Sequence, residues 1–292
     1  MSSSTTSSPS RSSSARVSFE RARDFVYKNA RVLERRLFAR LFEDGDSDGV
    51  VAALLAYRNA DGGFGHGLEP DKLVPESQPL DVQVALKTLH DAGAREPDVA
   101  RQACDFLESV ADDRGLVPHV LPSAARYPRA NHWEQPAAET TAAPAIAIAG
   151  YLHELRVSHP WLDRVTPTLF DEIRRSPLDD AHGIHDALVF VRYAPGGDAI
   201  VPRLREALPN ARWYLADPNA ETYGLPPTKF PRDWFDDTLY DAHLDRLESE
   251  QQEDGGWPIS WEPPGPAAVC AWRAIWTIEA LRTLRENRRL AP

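Results

Sequence analysis

Cysteine is scarce in this chain, with only Cys104 and Cys270 among 292 residues. That excludes a disulfide framework. Both fall inside helical patterns, so buried thiols in a reducing, cytoplasmic setting are expected. Long apolar runs are missing as well: no uninterrupted stretch approaches the roughly 20 residues a membrane span requires, and no transmembrane segment is expected. Cations are in deficit, with 33 Lys and Arg against 44 Asp and Glu and a net charge of -11. A nucleic-acid binder gathers Lys and Arg on one face to neutralise phosphates, so the expected partner is a small molecule rather than nucleic acid. Residues 1–15 (MSSSTTSSPSRSSSA) are rich in Ser and Thr without an apolar centre, which reads as a disordered tail and not a signal peptide. Residues 16–292 read as one domain, long enough to bury a substantial core.

What the chain does have is helical periodicity interrupted by glycine. Around residues 251–284 (QQEDGGWPISWEPPGPAAVCAWRAIWTIEALRTL) one helix stops at Asp254-Gly255-Gly256, Trp257 follows, and a second apolar helix resumes after Pro266. The same phrase occurs at Asp61-Gly62-Gly63-Phe64, at Asp113-Arg114-Gly115-Leu116 and, more weakly, at Asp180-Ala181-His182-Gly183-Ile184. With Gly63, Gly115, Gly183 and Gly256 as register marks, helix, turn, loop and helix recur as a repeat. The pattern predicts helices over 19–42, 79–92, 97–111, 136–156, 161–175, 179–194, 199–208, 236–252 and from Pro266 onward. Residues 212–234 carry four prolines and no periodicity, so there an ordered loop is expected in place of a helix.

The Gln251-Gln252-Glu253-Asp254-Gly255-Gly256-Trp257 and Asp61-Gly62-Gly63-Phe64-Gly65 segments resemble the QW-type repeats of the terpenoid cyclase and protein prenyltransferase β-subunit superfamily. The resemblance covers about residues 45 to 285. It implies an all-α fold, an α/α toroid of five or six pairs of inner and outer helices, and an isoprenoid-type substrate in a central cavity. Two family signatures are absent. No DxDD acid motif occurs, and neither cysteine has an aspartate two residues before it, so the family's zinc pair is not formed. No cofactor is assigned, and magnesium or zinc stays open.

Alternation of inner and outer helices would gather the inner helix N-termini and their long loops at one end of a ring, and most His and loop Trp residues fall on those loops. Gly65-His66-Gly67-Leu68-Glu69-Pro70-Asp71 sets an imidazole and two carboxylates between glycines, a composition suited to acid or base chemistry. Glu69 or Asp71 is the expected catalytic acid with His66 orienting it; the alternative is that the two cap helices or pair with Lys72 and Arg58. Glu134 is a further catalytic candidate. Glu76, Asp81, His132, Trp133, His185, Trp257 and Trp261 are candidate substrate contacts. His182 and His185, one helical turn apart, and Asp233, Asp236, Asp237 and Asp241 are weighed as metal ligands against plain capping and solvation. Three functions compete: terpenoid cyclase or prenyltransferase chemistry started by a loop acid, a carbohydrate-active toroid using paired carboxylates and stacking tryptophans, and a non-catalytic binding ring.

Overall fold

The computed structural model describes residues 17–290 apart from Glu134 and Ala137. The Ser/Thr-rich tail and the Glu134 candidate lie outside the described residues. The fold is all-α. The helices are α1 (Phe19–Asn29), α2 (Val32–Phe42), α3 (Ser47–Leu54), α4 (Pro79–Ala92), α5 (Pro97–Val110), α6 (Ala142–Glu154), α7 (Pro160–Arg175), α8 (Ala181–Tyr193), α9 (Val201–Ala207), α10 (Asp237–Ser249) and α11 (Pro266–Glu286). Among the described residues the only strand pairing of more than a single bridge is Val117–Pro118 against Thr140–Thr141. Residues 212–236 form a loop with two short 3-10 turns, as their prolines predict.

One expected helix is two. The 19–42 stripe breaks at Ala30 and Arg31, both extended. Asn29 Nδ2 and the Ala30 N–H take the carbonyls of Phe25 and Val26, which closes α1. The Arg31 guanidinium then grips Glu34 and donates to the carbonyls of Gly67 and Leu68 at 2.8 and 3.1 Å. No Gly or Pro marks this break. It follows from a buried ion pair that also pins the acidic loop. Asp46 caps α3 by accepting from Gly49 N–H at 2.7 Å.

The glycine turns recur in backbone detail. Asn59, Asp112 and Gln252 each donate N–H to the carbonyl four residues on, and Gly62, Gly115 and Gly255 each donate back to the first carbonyl. These glycines have φ of 88, 86 and 93°. The register marks are therefore Gly62, Gly115 and Gly255, and the anchoring side chain of the second turn is Asp112 rather than Asp113. Gly183 sits inside α8, whose N-cap is Asp180, so the fourth copy is a helix start and not a turn. A Cβ at Gly62 would stand 2.3 Å from the Gln102 carbonyl oxygen of α5, at Gly115 2.9 Å from Val165 Cβ of α7, and at Gly255 2.2 Å from the Arg21 carbonyl oxygen of α1. Each turn thus wedges against another helix, and the last of them wedges against the first helix of the chain.

Packing follows the same order. α11 touches α2, α2 touches α4, α4 touches α6 and α6 touches α8. Small residues permit the tightest of these contacts: Gly150 of α6 approaches the Phe190 backbone of α8 so closely that a Cβ would lie 2.9 Å from it. Between α8 and α11 the 212–236 loop takes over, bridged to Asp180 by Arg212 and to Glu279 of α11 by Lys229. One apolar cluster runs from α2 through α9, and a second joins α1 to α10 and α11. Trp257 lies in the second, fully buried, with its indole N–H on the Leu247 carbonyl at 2.8 Å. Its donor is spent inside the protein, so Trp257 packs the turn and does not face a substrate.

Candidate functional site

The acidic loop is held in place by its own backbone. Gly65 N–H donates to the Tyr57 carbonyl, and a Cβ on Gly65 would stand 2.5 Å from the carbonyl oxygens of Pro75 and Glu76. Glycine is required there because two backbone segments pass on that side. Glu69 N–H donates to Asp81 Oδ1 at 2.8 Å, which ties the loop to the first turn of α4.

Three charged groups come together there. Lys72, fully buried, sits 2.6 Å from Asp81 Oδ2 and 3.4 Å from Glu69 Oε2. Two carboxylates sharing one ammonium in a dry environment cannot both be well served as anions. Burial accordingly pushes the Glu69 carboxyl up to about 7, with Lys72 opposing and Asp71 and Asp81 adding. Asp81 is raised as well, by burial first, against the pull of Lys72.

Asp71 is differently placed. Its Oδ1 accepts the indole N–H of Trp272 at 2.7 Å and of Trp261 at 3.2 Å, and its Oδ2 lies 3.2 Å from His132 Nε2. The hydrogen bond to Asp71 is the main cause of a raised His132 pKa, with burial opposing it. Trp133 stands with its ring between those of His119 and His132, at 5.0 and 5.1 Å between centroids, and its Nε1 is buried without a partner. Burial lowers the pKa of His119, which also feels the charges of Asp186 and Lys72. Trp261 contacts Trp272, Trp276 and Tyr223 edge to face at 5.2, 5.6 and 5.9 Å.

Beside this group runs a second charged line. Lys87 of α4 reaches Asp91 at 2.5 Å and Glu279 of α11 at 2.7 Å, Lys229 reaches Glu279 at 3.2 Å, and Arg282 reaches Asp91 at 2.6 Å. Lys229 also lies 5.3 Å over the Trp276 ring. Burial draws the Lys87 pKa down, yet Asp91 and Glu279 lift it well above the ordinary value. Burial likewise opposes Glu279, which Lys87, Lys229 and Arg282 hold well below the carboxylate range. Although these groups lie deep among protein atoms, the Lys87 side chain keeps 39% of its surface accessible and Lys229 23%. They border a space that water enters.

Of the residues singled out from sequence, Glu69, Asp71, Asp81, His132, Trp133 and Trp261 meet. His66 does not join them: its ring bonds Asn59 at 2.9 Å, and the imidazole on Asp71 belongs to His132. Glu76 faces Arg126 and Tyr127 on the loop's outer side. His185 lies 3.8 Å from Asp186 with its ring edge toward Phe230, on the α8 side. Among the described residues Arg58 makes no ion pair with these carboxylates: Glu69 takes Lys72, and Asp71 takes His132 and two indole N–H groups. His119 and Tyr223 are additions, and so is the hydrogen bond from Trp272 to Asp71. Trp272 reads in the sequence as one more apolar position of α11, and only its indole nitrogen distinguishes it from packing. No group of three or more His, Cys, Asp or Glu among the described residues is arranged to hold a metal ion. Asp236 caps α10, while Asp237 and Asp241 pair with Arg232.

No family model matches the chain, and no curated protein matches it. A crystal structure of a protein from Actinoplanes is similar over 91% of this chain and 97% of that one, with a TM-score of 0.54 and 16% identity. At that identity the likeness is one of fold. Among the described residues no helix is long and apolar enough to cross a membrane.

Proposed function

We propose that the chain is an α/α toroid whose acidic end carries an acid–base enzyme site for a polar small molecule of the carbohydrate class. Ring closure is supported by the Gly255 turn against Arg21 and by the succession α11, α2, α4, α6, α8 with the 212–236 loop filling the place of an inner helix. The observation that carries the chemistry is Glu69 buried with Asp81 on a single ammonium, where burial pushes its carboxyl up to about 7 and favours a transferable proton near neutral pH. Asp71, fixed by three donors, and the half-buried Trp133, Trp261 and Tyr223 supply a polar anchor and ring faces against which a sugar stacks. The partly exposed Lys87, Lys229 and Glu279 suit hydroxyl groups and are poor walls for a hydrocarbon. A cavity bounded by Leu215, Lys229, His243, Trp276 and Glu279 has a volume of about 100 Å³ and adjoins the second charged line; Glu69, Asp71, Trp133 and Trp261 do not line it. Drug-sized ligand pockets start at roughly 300 Å³.

A second reading, isoprenoid cyclisation in keeping with the repeat resemblance, is favoured by the Trp261, Trp272 and Trp276 cluster, whose ring faces would stabilise a carbocation. The test is a turnover panel of 4-nitrophenyl glycosides, oligosaccharides, farnesyl and geranylgeranyl diphosphate and squalene, with Glu69→Gln beside the wild type. Glycoside cleavage that Glu69→Gln slows by about 10²–10⁴-fold is the expected result, the span a positioned acid contributes. Absence of any glycoside turnover sinks the carbohydrate reading, and isoprenoid turnover in its place selects the second.

A further inference from the structure

Against Trp261, whose indole N–H bonds Asp71, stands a hydrogen-bonded chain that the acid site does not use. Tyr223 OH lies 2.8 Å from His182 Nε2, and His182 Nδ1 lies 3.3 Å from Asp180 Oδ1. The two rings are within 10° of parallel. Asp180 is itself fixed, since Oδ1 accepts the His182 N–H at 2.9 Å and Oδ2 faces Arg212 at 3.5 Å. Tyr223 is anchored from the other side. Leu225 N–H donates to the Trp213 carbonyl at 2.7 Å, Leu215 N–H donates to the Leu225 carbonyl at 3.0 Å, and a Cβ on Gly224 would press on the Trp213 carbonyl oxygen at 2.9 Å. Two separate elements, the start of α8 and the 212–236 loop, thus bring a carboxylate, an imidazole and a phenol into line, ending at the ring that touches Trp261.

We propose that Tyr223 is the second acid–base residue of the site, working with Glu69 and through His182 and Asp180. This rests on the reading of Glu69 as the proton donor. With His182 neutral and its Nδ1–H directed at Asp180, the Tyr223 hydroxyl donates to Nε2 and turns an oxygen lone pair toward the site. In hydrolysis of a glycosidic bond, Tyr223 oxygen takes a proton from the attacking water while its own phenolic proton passes to Nε2. Asp180 then holds the imidazolium. Glu69 delivers its proton to the departing oxygen as the old C–O bond breaks and the new one to water oxygen forms. One water has been added, Glu69 is left ionised and His182 protonated, and exchange with solvent restores both. Burial together with Asp180 and Asp71 raises the Tyr223 pKa, so the phenol passes a proton on and does not itself persist as an anion.

Two measurements on the full chain test this. With ¹⁵N-labelled histidine, His182 is expected as the Nδ1-protonated tautomer, with the Nε2 resonance moving when Tyr223→Phe removes its donor; an unmoved resonance overturns the relay. On whichever 4-nitrophenyl glycoside the wild type cleaves, Tyr223→Phe and His182→Gln are each expected to lower kcat by about 10²-fold or more with KM little changed, and the double variant to lose no more than either. A Tyr223→Phe protein of unchanged kcat overturns the role of Tyr223 and leaves Glu69 standing. A wild type that cleaves no glycoside overturns both.

Discussion

The proposed ring is closed partly by the wedge of Gly255 against Arg21, beside the contacts of α11 with α1 and α2, and replacing that glycine tests the wedge. Gly255 has φ of 93°, and an added Cβ would lie 2.2 Å from the Arg21 carbonyl oxygen and 2.3 Å from its carbonyl carbon. Neither is the end of a flexible side chain, so α1 or the turn must move bodily. Gly255→Ala therefore combines about 1–2 kcal/mol for a left-handed alanine with about 1–3 kcal/mol for overpacking. Gly196 is the control. Its φ of 84° is comparable and nothing lies within 4 Å of the Cβ site, so Gly196→Ala should cost only the about 1–2 kcal/mol of the backbone conformation. Urea unfolding of both variants, with unchanged slope, reads the difference. Equal losses would show that α1 is not seated on the last turn and would remove that support from the proposed ring.

Glu69 makes stability depend on pH. Its carboxyl is raised from 4.5 to about 7, so the stability attached to its neutral form is fully present below about 4.5 and is lost as pH rises through 7. That interval corresponds to about 3 kcal/mol. The stability of wild type relative to Glu69→Gln should fall by about that much between pH 4.5 and 8 in urea titrations, and a pH-independent gap would refute the burial argument. Lys72→Met leaves Asp81 and Glu69 buried without their shared cation and should cost about 3–5 kcal/mol, measured the same way. Cys104 is buried and burial pushes its thiol up to about 12, whereas Cys270 is partly exposed. An aromatic disulfide reagent should therefore modify Cys270 in the native protein and reach Cys104 only on unfolding.

The residues by themselves determined the local structure. Apolar spacing placed α4 at Pro79–Ala92 and α11 from Pro266, and glycine with a neighbouring aspartate placed the turns, because those preferences act over a few bonds. The loop from Gly65 to Asp71 stood out because its glycines and acids are adjacent in the chain. The tertiary structure decided which groups touch. Asp71 finds its donors 61, 190 and 201 positions away, at His132, Trp261 and Trp272. His66, five residues off, turns to Asn59 instead. Likewise the break at Ala30 and Arg31 comes from carbonyls on the acidic loop, which no pattern within α1 or α2 encodes. Helical propensity is read within a turn of chain, but a carboxylate's protonation and partners are set by whatever the packing brings within about 3 Å, and that is known only once the helices are in place.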